Sequence, residues 1–150
     1  MSTLKVDTYL TRGGASEIAI DKIKGVTAAG SMLVVAEGGT NTTNLQQGLT
    51  KSWLTMDGTG TVGIVDSFNI GGITDEGTAD YSFTYSTNMG TAEHPVTGSV
   101  IGSADSNFYA FITSTGVAQA TTGDRFHVVH HSGAAPDIDP IHIVVQGDLA

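Results

Sequence analysis

The apolar and polar positions divide this chain into short runs of β-branched and aromatic residues separated by Gly, Asp and Asn. Such runs fit strands. Branched and aromatic side chains pack well on a pleated surface, whereas Gly, Asp and Asn accept the backbone angles of tight turns. From Thr50 onward the pattern is regular. Residues 50–56 precede Asp57-Gly58, residues 61–70 precede Gly71-Gly72, and residues 79–87 follow Asp75-Glu76-Gly77. Tyr81, Phe83 and Tyr85 recur at period two and therefore share one strand face. Further runs cover 94–101, 108–113, 125–131 and 141–146, and in the last of these Ile141, Ile143 and Val145 define an apolar face expected to be buried. Seven strands at roughly ten-residue spacing predict an all-β head, either a β-sandwich or barrel-like.

Residues 1–48 follow a different pattern. Leu4, Val6, Ile18, Ile20, Ile23, Val26 and the run 32–35 are scattered among glycines and polar residues. Ala15, Ile18, Ala19 and Ile23 fit a helix over 15–24, and Ile18 with Ile20 fits a strand equally well. So few apolar side chains cannot bury enough surface to offset the entropy of ordering the segment, so it is expected to need copies of itself or a partner. Charge divides the chain at the same place. Residues 1–48 hold four basic and four acidic residues, whereas 49–150 hold Lys51 and Arg125 against eleven carboxylates. The predicted organisation is an extended attachment and trimerisation segment, 1–48, followed by a head, 49–150.

Composition narrows the function classes. A length of 150 residues accommodates one ordinary domain, or a small domain with an extension. Cysteine is absent, so no disulfide, thiolate nucleophile or thiolate metal site can form. A net charge of -9 opposes nucleic acid and anionic lipid, both of which require a basic face. The N-terminus lacks an apolar leader, and the runs 32–36 and 143–145 are too short to cross a bilayer. The expectation is a chain made in a cytoplasm and not inserted into membrane.

Four stretches carry a resemblance: Gln47-Gly48-Leu49-Thr50-Lys51-Ser52-Trp53, then Asp57-Gly58-Thr59-Gly60-Thr61-Val62, then Asp66-Ser67-Phe68-Asn69-Ile70, then 73–81. Together they resemble a domain of tail-fibre and related virion proteins of tailed bacteriophages, notably marine ones, and Leu4-Lys5-Val6-Asp7 is similar to the start of such proteins. The resemblance covers about residues 47–89. It implies a β-structured homotrimer whose N-terminal part attaches to other virion proteins while the C-terminal part points outward, with a host-surface glycan or protein as a further partner. Many tail fibres are several times longer, which makes a capsid-mounted head fibre or decoration protein the alternative.

Spacing limits the chemistry that the polar residues can perform. His127, His130 and His131, with His142 in the last run, could ring a metal ion if three chains met on an axis; on one strand, His127 and His131 share a face and His130 points away. Asp75, Glu76 and Asp80, or Asp137 and Asp139, are the carboxylates near enough in sequence for glycan cleavage, but their turn-like context reads as solvated. Asp57, Asp105, Asp137 and Asp139 offer loop oxygens for calcium without an EF-hand or nonapeptide pattern. No phosphate-cradling loop or nucleophile elbow is present. Trp53, Phe68, Tyr81, Phe83, Tyr85, Phe108, Tyr109, Phe111 and Phe126 fall in the strand runs, where core packing is the expected role, and an exposed one could stack on a glycan. The sequence therefore predicts a non-enzymatic virion protein with no catalytic, metal or cofactor residues.

Overall fold

The computed structural model describes residues 32–36, 39–101, 109–113 and 117–150. The helix-or-strand segment 15–24 and the rest of 1–31 lie outside them. Strands β1 (Leu33–Val35) and β2 (Thr42–Asn44) form a hairpin. A one-turn helix, α1 (Leu45–Gly48), follows directly and was not foreseen; Asn44 caps it, Oδ1 accepting from the Gln47 N–H at 3.0 Å. All three residues of β1 are exposed.

Beyond Thr50 the described residues hold eight strands: β3 (Ser52–Asp57), β4 (Gly63–Phe68), β5 (Ile70–Gly77), β6 (Asp80–Tyr85), β7 (Val96–Val100), β8 (Tyr109–Thr113), β9 (Gly123–His130) and β10 (Ile141–Val145). All pairs are antiparallel, in two four-stranded sheets ordered β4-β3-β10-β7 and β5-β6-β9-β8. The fold is all-β and layered. Period-two alternation sends one face of each sheet inward: Leu54, Met56, Ile141, Ile143 and Val145 from the first sheet meet Tyr81, Phe83, Tyr85, Phe126 and Val128 from the second. Ala79, Met89 and Ile138 from the connections complete the core. Each fully buried side chain of this kind contributes about 1.5–3 kcal/mol of transfer free energy. The expected burial of Ile141, Ile143 and Val145 is observed, at 0, 1 and 0 % exposure.

Aromatic contacts tie the second sheet together. Phe111 stacks on Phe126 with centroids 4.9 Å apart, and Tyr81 and Phe83 lie 5.5 and 6.2 Å from the same ring. Gly98 on β7 makes room for this cluster, because a Cβ there would lie 2.3 Å from the Phe111 ring.

Two turns fall elsewhere than the sequence suggested. Gly71-Gly72 lies inside β5, a strand missed because its residues include three glycines and two carboxylates. The chain instead passes between the sheets at Asn69, with φ of 59°. Its side chain satisfies three backbone groups: Nδ2 donates to the carbonyls of Lys51 and Thr87, each at 3.1 Å, and Oδ1 accepts from the Thr87 N–H at 2.7 Å. Similarly, Asp75-Glu76-Gly77 completes β5 and is not the turn, which is formed by Thr78 and Ala79.

Candidate functional site

Polar chemistry gathers in three places. Between the sheets, Asp124 occupies an inward position of β9 in register with Phe83, on the same face as Phe126 and Val128. Its Oδ2 accepts from the Tyr85 hydroxyl and lies 2.7 Å from His94 Nε2. His94 Nδ1 faces the Thr91 carbonyl at 2.8 Å; a carbonyl only accepts, so Nδ1 carries a hydrogen. Tyr85 also stands 2.9 Å from His94 Nε2, and burial followed by its bond to Asp124 pushes the phenol well above the ordinary tyrosine range. With the His94 and Asp124 side chains 0 and 1 % exposed, a substrate cannot reach them. The cluster fastens the β6–β7 connection to β9.

The second gathering lies on the outer face of the β5-β6-β9-β8 sheet. Arg125 grips Asp80 with two donors, Nε to Oδ1 at 2.8 Å and Nη2 to Oδ2, and His127 Nε2 lies 3.4 Å from Oδ1. The Arg125 hydrogen bonds hold the Asp80 carboxyl below its ordinary range against the opposing effect of burial. Beside this pair, Glu76 accepts from the Ser82 hydroxyl at 2.7 Å. An open hollow of about 260 Å³ is lined there by Glu76, Ser82, Thr84, Thr122 and Arg125.

At one end of the molecule Asp137 Oδ1 accepts from the Ala79 N–H at 2.7 Å and from the Tyr81 hydroxyl at 2.9 Å, and Tyr81 also donates to the Gly58 carbonyl. Desolvation, then the Asp137 hydrogen bond, raises the Tyr81 phenol above its usual value. Asp57 turns locally, accepting from both the N–H and hydroxyl of Thr59, which lower its pKa.

The histidines suggested for a metal are dispersed. His127 faces Asp80, and the rings of His130 and His131 meet at 4.0 Å where β9 ends. His142 belongs to the other sheet, with Nδ1 3.1 Å from Thr55 Oγ1. Among the described residues no group of three or more His, Asp or Glu side chains is placed to hold a metal ion. The carboxylates considered for glycan cleavage do not converge either. Asp75 accepts from the Gly77 N–H at 3.0 Å, Glu76 from Ser82, and Asp80, expected to be solvated, is buried against Arg125. Asp139 is exposed, and Asp105 and Phe108 lie outside the described residues.

Two aromatics leave the core to which the sequence assigned them. Trp53 and Phe68 are register partners on the outer face of the β4-β3-β10-β7 sheet, with Phe68 51 % exposed. The alternation around Leu54 and Met56 requires this, since Trp53 has the opposite parity. The register extends that row through Val144 to Thr97, and the next row runs Asp66, Thr55, His142, Ser99. His94, Asp124 and Tyr85 were the residues sequence reasoning missed as a cluster. The available signal was a carboxylate, Asp124, at period two with Phe126 and Val128. No helix among the described residues is long and apolar enough to cross a membrane. Comparison with protein-family models, curated proteins and solved structures finds no match to this chain.

Proposed function

We propose that the chain is a structural protein of a bacteriophage virion, a homotrimeric short fibre or spike subunit with a β-sandwich head, acting through contacts and without catalysis. One observation carries the reading. The outer face of the β4-β3-β10-β7 sheet presents Phe68, Trp53 and Val144 in one row, while Ile64 and Val65 are exposed on β4, an apolar surface suited to contact with another macromolecule. The polar groups of the other sheet bond to one another: Asp80 with Arg125, Glu76 with Ser82, Asp124 with Tyr85 and His94. The phage-fibre resemblance of residues 47–89 supplies the setting. It gives the protein a place in the particle, made in the host cytoplasm, tail-associated and joined to other virion proteins through residues 1–48, with the head turned toward the host surface.

Light scattering on the full chain at micromolar concentration tests the assembly: the expected mass is three times 15.4 kDa, and a stable folded monomer overturns the trimer. Imaging intact particles with antibody against the chain tests the location. Label on the tail is expected, and label spread over the capsid would replace the fibre with a decoration protein. Oligosaccharide release from host envelope polysaccharide, abolished by a single Asp or Glu substitution, would overturn the non-enzymatic reading.

A further inference from the structure

The four edge strands of the two sheets are not equally protected. An edge strand offers unpaired N–H and C=O groups, and natural proteins blunt such edges with charge, proline, irregularity or short length. β5, the edge nearest β4 in the other sheet, follows that rule: it carries Asp75 and Glu76, contains three glycines and shifts register twice. β4 does not. Among the described residues it pairs with β3 alone, runs six residues and exposes Ile64, Val65 and Phe68 at 41, 65 and 51 %. Its one register shift leaves Val65 without a partner on β3, the most exposed large apolar residue of the strand.

This edge continues onto the sheet's outer face through Phe68, Trp53 and Val144, the last 38 % exposed. Taking roughly 150–250 Å² for a fully exposed side chain of this size, the strip presents on the order of 400 Å² of apolar surface. That falls within the range of the largest apolar patch on an ordinary monomer, a patch that is often functional, and is about half of what each partner of a stable complex buries, the remainder being available from the Thr55 and His142 rim. Charge selects the occupant. The chain carries a net -9, so two copies repel over most of their surfaces, yet in the two outer rows of this sheet Asp66 is the one formally charged residue. Here like-charged copies can meet at least electrostatic cost.

We infer that β4 and the adjoining Phe68–Trp53–Val144 row form the surface on which a second copy of this chain docks. The inference rests on the self-association proposed above, and names the head as a contributor to it alongside residues 1–48. Placing a charge on β4 tests it in the full-length protein. V65K should weaken association at least about 30-fold, as expected for loss of an interface hot spot, while leaving the circular-dichroism spectrum of the folded protein unchanged. Because the chain has no cysteine, V65C supplies a single thiol for a benzophenone maleimide, whose photo-capture of a neighbouring copy is expected whichever surface of that copy β4 meets. T74C on β5 should not cross-link, and the V65C arm still decides the matter if V65K fails to fold.

A wild-type protein that is monomeric would overturn both self-association and this surface. An oligomeric wild type whose stoichiometry survives V65K, with V65C uncross-linked, would overturn this surface alone and leave assembly elsewhere. Uncross-linked V65C combined with glycan binding lost in V65K would assign the face to a glycan instead, and so overturn it too.

Discussion

The two sheets share one core but carry opposite exteriors. The β5-β6-β9-β8 sheet uses its polar side chains to bind itself: Asp80 grips Arg125, Ser82 donates to Glu76, and inside, Asp124 joins Tyr85 and His94. The β4-β3-β10-β7 sheet has an equally apolar interior, yet leaves Phe68, Val65 and Ile64 uncovered. Burial explains the inner faces of both. It does not explain an exposed Phe beside a half-buried Trp on an outer face, where water favours polar residues. The difference separates residues that hold the fold from residues available for contact, and substitutions should sort accordingly.

The sharpest separation should come from the interior. D124A removes the acceptor shared by Tyr85 and His94 and leaves two buried polar groups facing a cavity, at about 1–3 kcal/mol for each group left unsatisfied. S99A, on the outer face of the opposite sheet, should change stability by less than about 0.5 kcal/mol. Urea unfolding of both variants measures the contrast. Equal midpoints would mean that the Asp124 cluster does not fasten the β6–β7 connection.

An intermediate effect is expected at alkaline pH. Burial and neighbouring carboxylates raise the phenols of Tyr81 and Tyr85 above their ordinary value of 10.0. A folded value above the unfolded one means that their contribution is fully present below about pH 10 and is lost as pH rises beyond it, at up to about 1.4 kcal/mol per tyrosine per pH unit. Absorbance near 295 nm should therefore show Tyr81 and Tyr85 remaining protonated until the fold melts. Y81F with Y85F should remove that delayed step from the titration. Smooth ionisation of all tyrosines without unfolding would break the assignment of both rings to a sealed interior.

Strand positions were legible wherever one face is buried, because period two then survives in the sequence: β6 and β10 fell where Tyr81, Phe83, Tyr85 and Ile141, Ile143, Val145 placed them. β5 was not legible. Gly71 and Gly72 carry the usual turn signal, and only pairing with β6 across a register shift makes a strand of them. Residue type alone places Trp53 and Phe68 in the core, although parity with Leu54 and Met56 points Trp53 outward. The Asp124 cluster was half visible. A carboxylate in an apolar alternation implies a buried partner, but His94, thirty residues away on a connection, is identified only once the sheets close over it.

The smallest effect concerns Asp80, and it distinguishes the outer polar network from the inner one. Its carboxyl is held below the ordinary value of 3.8, chiefly by the hydrogen bonds of Arg125, with His127 adding attraction. A depressed folded value contributes stability that is present above the unfolded value and lost as pH falls through the folded one. The melting temperature of the wild type should accordingly begin to fall below about pH 4. D80N, which cannot hold that charge, should be less stable at pH 7 and approach the wild type in acid. The difference should stay modest, because the Arg125 side chain is 28 % exposed and water screens the pair, and it should shrink further in 1 M salt. Differential scanning calorimetry of both proteins from pH 2.5 to 7, at low and high salt, supplies the measurement. A D80N profile parallel to that of the wild type throughout would show that the Asp80–Arg125 pair does not stabilise the sheet, leaving the Asp124 cluster as the polar fastening of this half of the molecule.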